Sequence, residues 1–252
     1  MDPLSQVVNS IVASLGLGTM NLIGAIVFIV GTVLFVGELF GYRFHLHAPF
    51  ITRTTTKWDA MSLVTVAISA ALFGGGLGLT AGIVFVPGIA YLRPAQALTT
   101  VFGILFGVPG ALGSAVGNFI GDIFAGTLTL GSVAGFIGNF LSAYIPWRIV
   151  YRPEQAELST GPKILLYLWA VVAGAFMIAF YIPWWLAVLD IIPDEVAWIG
   201  VFGNIWLNGL LTPWTLGLVL VKLLYPFVRR WNMYWADKEH VDFAPPVAAK
   251  VA

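Results

Sequence analysis

"AQALTTVFGILFGVPGALGSAVGNFIGDIFAG", residues 95–126, decides the fold. It is apolar enough for lipid, yet it carries Asn118, Asp122 and seven glycines. One crossing of a bilayer takes about 20 residues, so the stretch is too long for a single span. Gly107, Pro109 and Gly110 within "FGVPG" do not continue one helix comfortably. The reading is two short helical spans, 95–108 and 109–126, joined as a hairpin. Gly113, Gly117 and Gly121 recur every four residues, which puts them on one helix face and lets another backbone approach closely. Asn118 and Asp122 are also four apart, on a face about 100° round from the glycines. A carboxylate in hydrocarbon costs at least about 2.5 kcal/mol. Asp122 is therefore expected to face the bundle interior or water and to have a partner.

The rest of the chain agrees with a membrane setting. Of its 252 residues 59% are hydrophobic and 10% charged, against about 25% charged in soluble domains, and the mean hydropathy is +0.92. This predicts an all-α, polytopic membrane protein. Apolar runs mark seven spans, near 19–41, 58–77, 95–108, 109–126, 131–150, 163–187 and 196–226. Residues 78–93, "GLTAGIVFVPGIAYLR", are too short and too broken by Gly and Pro to cross alone. They are expected to form a structured loop covered by protein or by a water-filled cavity. "GGGLG" at 74–78 is expected to end the second helix. The chain has no Cys, which removes thiolate chemistry, and its 12 basic and 12 acidic residues cancel, which points away from nucleic acid as a partner. The first 18 residues contain no Lys or Arg, so the first helix reads as retained rather than as a cleaved signal.

Basic residues gather on the cytoplasmic side of membrane proteins. Seven spans put Arg43, Arg53, Lys57, Arg148, Arg152, Lys163, Lys222, Arg229, Arg230, Lys238 and Lys250 on one side. The expected topology is a plasma-membrane protein with its N-terminus outside and its C-terminus in the cytoplasm. Arg93 is then alone among the basic residues outside, at the level of Asp122 near the outer end of the fourth span. Asn139 falls within the fifth span, and Asn204 and Asn208 share a face of the seventh. Trp184 and Trp185 end the sixth span on the outside, before Asp190, Asp194 and Glu195. Together these residues suggest a polar, aromatic-edged cavity open to the exterior. Trp231, Tyr234 and Trp235 read as an interfacial belt, followed by a disordered tail.

The stretches "AMSLVTVAISAAL", "YLRPAQALTTVFGILFGVPGALGSAVGNFIGDIF" and "GSVAGFIGNFLSAYIPW" resemble the substrate-binding S subunit of energy-coupling factor (ECF) vitamin transporters. The nearest resemblance is to queuosine-precursor-type and uncharacterised S subunits. It implies a six-helix bundle over residues 57–230, with both ends inside. Residues 1–56 add a transmembrane helix and cytoplasmic loop outside that minimal fold, and 231–252 form a tail. It also implies an Ala-x-x-x-Ala docking face for a T subunit, matched by Ala67 and Ala71, and two separate ATPase subunits. The ligand implied is a vitamin or modified-base-like small organic molecule. By position in the family the site falls on residues 78–93, Asn139, Trp184, Trp185 and Asn204, to which depth adds Arg93, Asn118, Asp122 and Asn208.

No G-x-x-x-x-G-K-[ST] occurs, so the chain has no P-loop of its own for ATP. No H-E-x-x-H, no G-x-S-x-G and no close acidic pair within a span points to an enzyme, and no resident cofactor or metal is expected. Two other readings stand beside capture of a solute. One is an accessory subunit of a larger membrane complex, for which "YRFHLHAPF" offers His45 and His47 as possible ligands. The other is a stand-alone secondary transporter, although no internal repeat of the kind common in such folds is visible.

Overall fold

The computed structural model describes residues 16–45, 50–54, 58–80, 84–86, 90–150 and 152–239. The chain is an all-α polytopic membrane protein. Helix α1, Leu17–Leu39, is followed by a small antiparallel hairpin, β1 (Tyr42–Phe44) and β2 (Ile51–Arg53). Helix α2 spans Ala60–Thr80, and β3 (Val84–Val86) pairs with β4 (Ala90–Tyr91) within the connection that follows. Then come α3 (Gln96–Ala125), α4 (Gly131–Ile149), the short α5 (Pro153–Ala156) and α6 (Gly161–Val188). The final span runs through π-helical turns at Val196–Val201, α7 (Phe202–Thr212), further π-helical turns at Pro213–Gly217, and α8 (Leu218–Arg230). A short α9, Trp235–Glu239, ends the described chain. Among the described residues five helical segments are long and apolar enough to cross a membrane: α1, α2, α3, α6 and Val196–Arg230. The 19-residue α4 lies between them.

Helix α3 is the expected hairpin. Gly107 has φ 56° and ψ −131°, a backbone conformation that glycine adopts without a Cβ clash, and there the chain reverses. A Cβ on Gly110 would fall 2.1 Å from the Phe102 carbonyl oxygen, so the two limbs touch directly above the turn. Gln96 and Asn118, each eleven residues from Gly107, both reach Asn139. Equal distances from the turn bring them to one level.

The glycine stripe does what its spacing predicts. A Cβ on Gly113 would lie 2.4 Å from the Ser69 Cβ, and one on Gly117 would lie 2.9 Å from the Ala70 carbonyl oxygen. Gly121 meets Leu77. Without side chains there, the second limb of α3 lies backbone to backbone against α2, where dispersion replaces the hydrophobic drive that lipid removes. The expected helix end at "GGGLG" is not where α2 stops, since the helix continues to Thr80. Gly74 is packed against Ile120 and the Gly117 carbonyl, and Gly76 against Ala95, so these glycines are contact points inside a helix.

Helix α1 packs on α6 and α4 and is pinned at both ends. Near its start Asn21 Nδ2 donates to Asp194 Oδ2 (3.1 Å). Past its midpoint Thr32 Oγ1 and the Tyr181 hydroxyl share a hydrogen bond of 2.9 Å. At its end the buried Glu38 pairs with the buried Arg43 and accepts a hydrogen bond from the Tyr144 hydroxyl (2.8 Å). Arg148 closes this group by donating to the Phe44 carbonyl (3.2 Å).

The aromatic residues after the last span divide. Trp231 is exposed, as an interfacial residue would be, but Tyr234 and Trp235 are buried. The Trp235 ring fills the space beside Gly107, where a Cβ would approach it to 2.1 Å, and Tyr234 meets Tyr225 edge-on. A chain that turns back at Asn232, φ 55°, carries both rings under the α3 hairpin instead of leaving them at the lipid surface. The tail beyond Glu239 lies outside the described residues.

Candidate functional site

A cavity of about 420 Å³ opens at the end of the bundle away from the α3 turn. Its polar floor is a chain of amides. Gln96 Nε2 donates to Asn139 Oδ1 (3.2 Å), Asn139 Nδ2 donates to Asn118 Oδ1 (2.9 Å), and Asn118 Nδ2 donates to Asp122 Oδ2 (3.1 Å). Asn139 also donates to the Gly135 carbonyl one turn back (2.8 Å). Asn139 and Asn118 each spend their oxygen on the residue behind and their nitrogen on the one ahead. The chain has one direction and ends on a carboxylate.

A second group faces it. The Arg93 backbone N–H donates to Asn208 Oδ1 (2.7 Å), and Asn208 Nδ2 donates to Asn204 Oδ1 (2.7 Å). This fixes the last residues before α3 against the final span and leaves the Arg93 side chain in the cavity. Among the described residues nothing hydrogen-bonds to or ion-pairs with its guanidinium. The Asp122 charge acts on it across the space between them. Ile178, Ile182 and Leu186 of α6, with Val201 and Ile205 of the final span, supply the apolar walls. An open cation, an anchored anion and several amides on aliphatic walls describe a site for a small polar molecule with both donors and acceptors.

The profile of the QueT transporter family matches residues 63–212, more than half of the chain. The protein belongs to the QueT transporter family. Neither a curated protein nor a solved structure gives a significant match. The chain is therefore the S component of an ECF transporter, a multi-pass plasma-membrane protein that handles a small-molecule substrate, and it is not an enzyme. All the polar groups of the cavity lie within the matched residues, whereas α1 lies before them.

Six of the eight residues that the sequence suggests for a ligand site, Arg93, Asn118, Asp122, Asn139, Asn204 and Asn208, line this one cavity. Trp184 and Trp185 do not. Ile178, Ile182 and Leu186, spaced by four, form the stripe of α6 that faces the cavity. The two tryptophans turn toward α1, with ring centroids 4.6 Å and 5.3 Å from that of Phe28. Gly24 makes room for Trp184, and Trp185 Nε1 donates to the Leu130 carbonyl (3.0 Å). Gln96 was missed by the sequence reading. Its signal is its distance from Gly107, equal to that of Asn118, which a hairpin converts into shared depth. Among the described residues of 78–93 only Arg93 lines the cavity, with Leu77 just before the stretch; residues 81–83 and 87–89 of that predicted segment lie outside the described residues.

Ala67 and Ala71 are exposed on the face of α2 turned away from the glycine stripe, beside exposed Leu63, Val64 and Ile68. His45 does not stand as an open ligand. Its Nε2 is 2.8 Å from Thr52 Oγ1 and its Nδ1 is 3.4 Å from Arg148. Its neighbour His47 lies outside the described residues.

Proposed function

We propose that the cavity captures a queuosine precursor, a 7-deazaguanine-type base, at the outer face of the membrane, with the N-terminus outside and the C-terminus in the cytoplasm. The observation that carries this reading is an Arg93 guanidinium without a hydrogen-bonding or ion-pair partner among the described residues, facing the same cavity as the Asp122 carboxylate. A guanine-like edge presents adjacent N–H donors beside a carbonyl acceptor. Asp122 would accept from the donors, and Arg93 would donate to the carbonyl or ring nitrogen. Asn118, Asn139, Asn204 and Asn208 hold these two groups at their places. With Trp184 and Trp185 turned to α1, the faces of the base rest on Ile178, Ile182 and Ile205 instead of stacking on indoles. A vitamin with the same donor and acceptor edges is the competing substrate class.

A T subunit and two ATPase subunits would supply the energy, with the exposed Ala67 and Ala71 face of α2 as the docking surface. Two small residues four apart allow a partner helix to approach closely.

The test is equilibrium binding of 7-cyano-7-deazaguanine to the purified full chain. Asp122→Asn keeps the shape but removes the charged acceptor, and Arg93→Gln removes the cation. Each is expected to weaken binding at least roughly tenfold, the scale of a charge-assisted hydrogen bond. Wild-type protein that binds the base no better than a vitamin such as biotin would sink the substrate assignment. Unchanged affinity in Asp122→Asn would make Asp122 a structural group.

A further inference from the structure

The cavity has one wall of unusual backbone. Val196–Val201 is wound as a π-helix, a form rare in proteins, found mostly as single turns and frequently at functional sites. Val196, Gly200 and Val201 line the cavity, and Asn204 follows on the next turn. A segment of this kind holds its shape through what packs behind it. Behind it stands α1.

Trp198 is the contact. Its side chain is fully buried, and its Nε1 donates to Asn21 Oδ1 (2.9 Å). Asn21 Nδ2 donates to Asp194 Oδ2 (3.1 Å) at the approach to the same turns. One amide thus holds both the entry and the centre of the π-helical wall, and both of its functional ends are occupied. One turn on, Gly24 receives the Trp198 ring, where a Cβ would be 2.8 Å from its edge. Phe180 and Phe202 close around that ring at 5.8 Å and 6.2 Å.

We propose that Asn21 is a positioning residue for the ligand cavity. Through Asp194 and Trp198 it fixes the π-helical wall, so that α1, which precedes the family-matched residues, sets the affinity of the site. The inference rests on the reading of this cavity as the substrate site. Asn21 does not touch the cavity and acts only through the two residues it holds.

Two measurements on the full chain test it, with a control that separates positioning from general loosening. Asn21→Leu removes both hydrogen bonds at similar volume. Thr32→Val removes the hydrogen bond to Tyr181 on the same helix, away from the wall. Both are expected to lower the melting temperature. Amide hydrogen exchange without ligand should rise over residues 196–204 in Asn21→Leu and not in Thr32→Val. Affinity for 7-cyano-7-deazaguanine should fall by roughly fivefold or more in Asn21→Leu, the scale of one net hydrogen bond, and stay at the wild-type value in Thr32→Val. Asn21→Asp places a carboxylate against Asp194 and should weaken binding, whereas Asn21→Asp combined with Asp194→Asn restores a donor and acceptor pair and should recover it.

Unchanged exchange over 196–204 in Asn21→Leu would overturn the proposal. So would an equal loss of affinity in Thr32→Val. If the wild type does not bind the base but the local exchange effect is present, the substrate assignment falls and the positioning role of Asn21 stands.

Discussion

At the scale of single residues, the chain treats its inward-facing charges in two opposite ways. Arg93 and Asp122 face a cavity and are left available, whereas Glu38 and Arg43 are sealed together with Tyr144, and the Arg43 guanidinium lies 5.1 Å from the Trp147 ring centre. A buried pair stripped of one member leaves an uncompensated charge, which costs about 3–5 kcal/mol, while replacing both members with apolar residues is often neutral. Arg43→Met should therefore lower the thermal midpoint markedly, and Glu38→Leu with Arg43→Met should restore most of the loss; equal melts for the single and double variants would contradict this. His45 sits beside that group. Burial, then Arg148 and Arg43, hold its pKa below the ordinary 6.5. The folded state thus disfavours the charged ring, so its stability is complete above about pH 6.5 and declines as the pH falls below that value. Melting at pH 7.5 and 5.5 should show a drop that His45→Gln reduces. Sequence alone did not reveal the Glu38 cluster. Arg43 lies beyond the end of α1, where a basic residue reads as a loop charge, and its enclosure depends on Tyr144, more than a hundred positions away.

At the scale of elements, the hairpin was legible because its cause is local. Gly107, Pro109 and Gly110 permit a reversal and discourage a straight helix, and the four-residue glycine spacing specifies the face that meets α2. The π-helical turns were not legible, since "VAWIGV" and "PWTLG" have compositions that ordinary helix accommodates. "GGGLG" was misread for a related reason. Glycine weakens a helix by about 1 kcal/mol in water, but in a lipid-embedded bundle close backbone contact offsets that cost. These arguments make Gly107 the most demanding position of α3. Alanine there would be held at φ 56° with its Cβ 2.1 Å from the Trp235 ring. Gly107→Ala should destabilise the protein by at least about 1–3 kcal/mol. In a Trp235→Ala background, the reference that already carries the cost of losing that buried ring, the clash is gone but the backbone strain is not. Thermal melts should therefore show Gly107→Ala costing less there than in the wild type but still measurably, a partial recovery. Full recovery would mean that the left-handed backbone contributes nothing.

At the scale of the whole molecule, the polar lining of the cavity was readable from depth alone, because span boundaries place Arg93, Asn118, Asp122, Asn139, Asn204 and Asn208 near one level. The orientation of Trp184 and Trp185 was not, because rotation about α6 is decided by α1, an almost uniformly apolar helix whose own facing direction its sequence does not encode. The same helix decides which surfaces of the bundle stay open. It is tied to the cavity wall through Asn21 and to α4 through Glu38 and Tyr144, so the faces of α4 and α6 that it covers are closed to the proposed T subunit, and docking would need surfaces still exposed. Ala67 and Ala71 lie on such a surface, on the side of α2 opposite its contact with α3. Bulk there should block a partner without disturbing the cavity. Ala67→Trp with Ala71→Trp is expected to abolish ATP-driven uptake of 7-cyano-7-deazaguanine in cells and co-purification of a T subunit, while leaving the affinity of the isolated chain within about twofold of wild type, as for substitutions distant from a site. Loss of affinity together with uptake would mean that the α2 face supports the cavity; retention of both would place the docking surface elsewhere on the bundle.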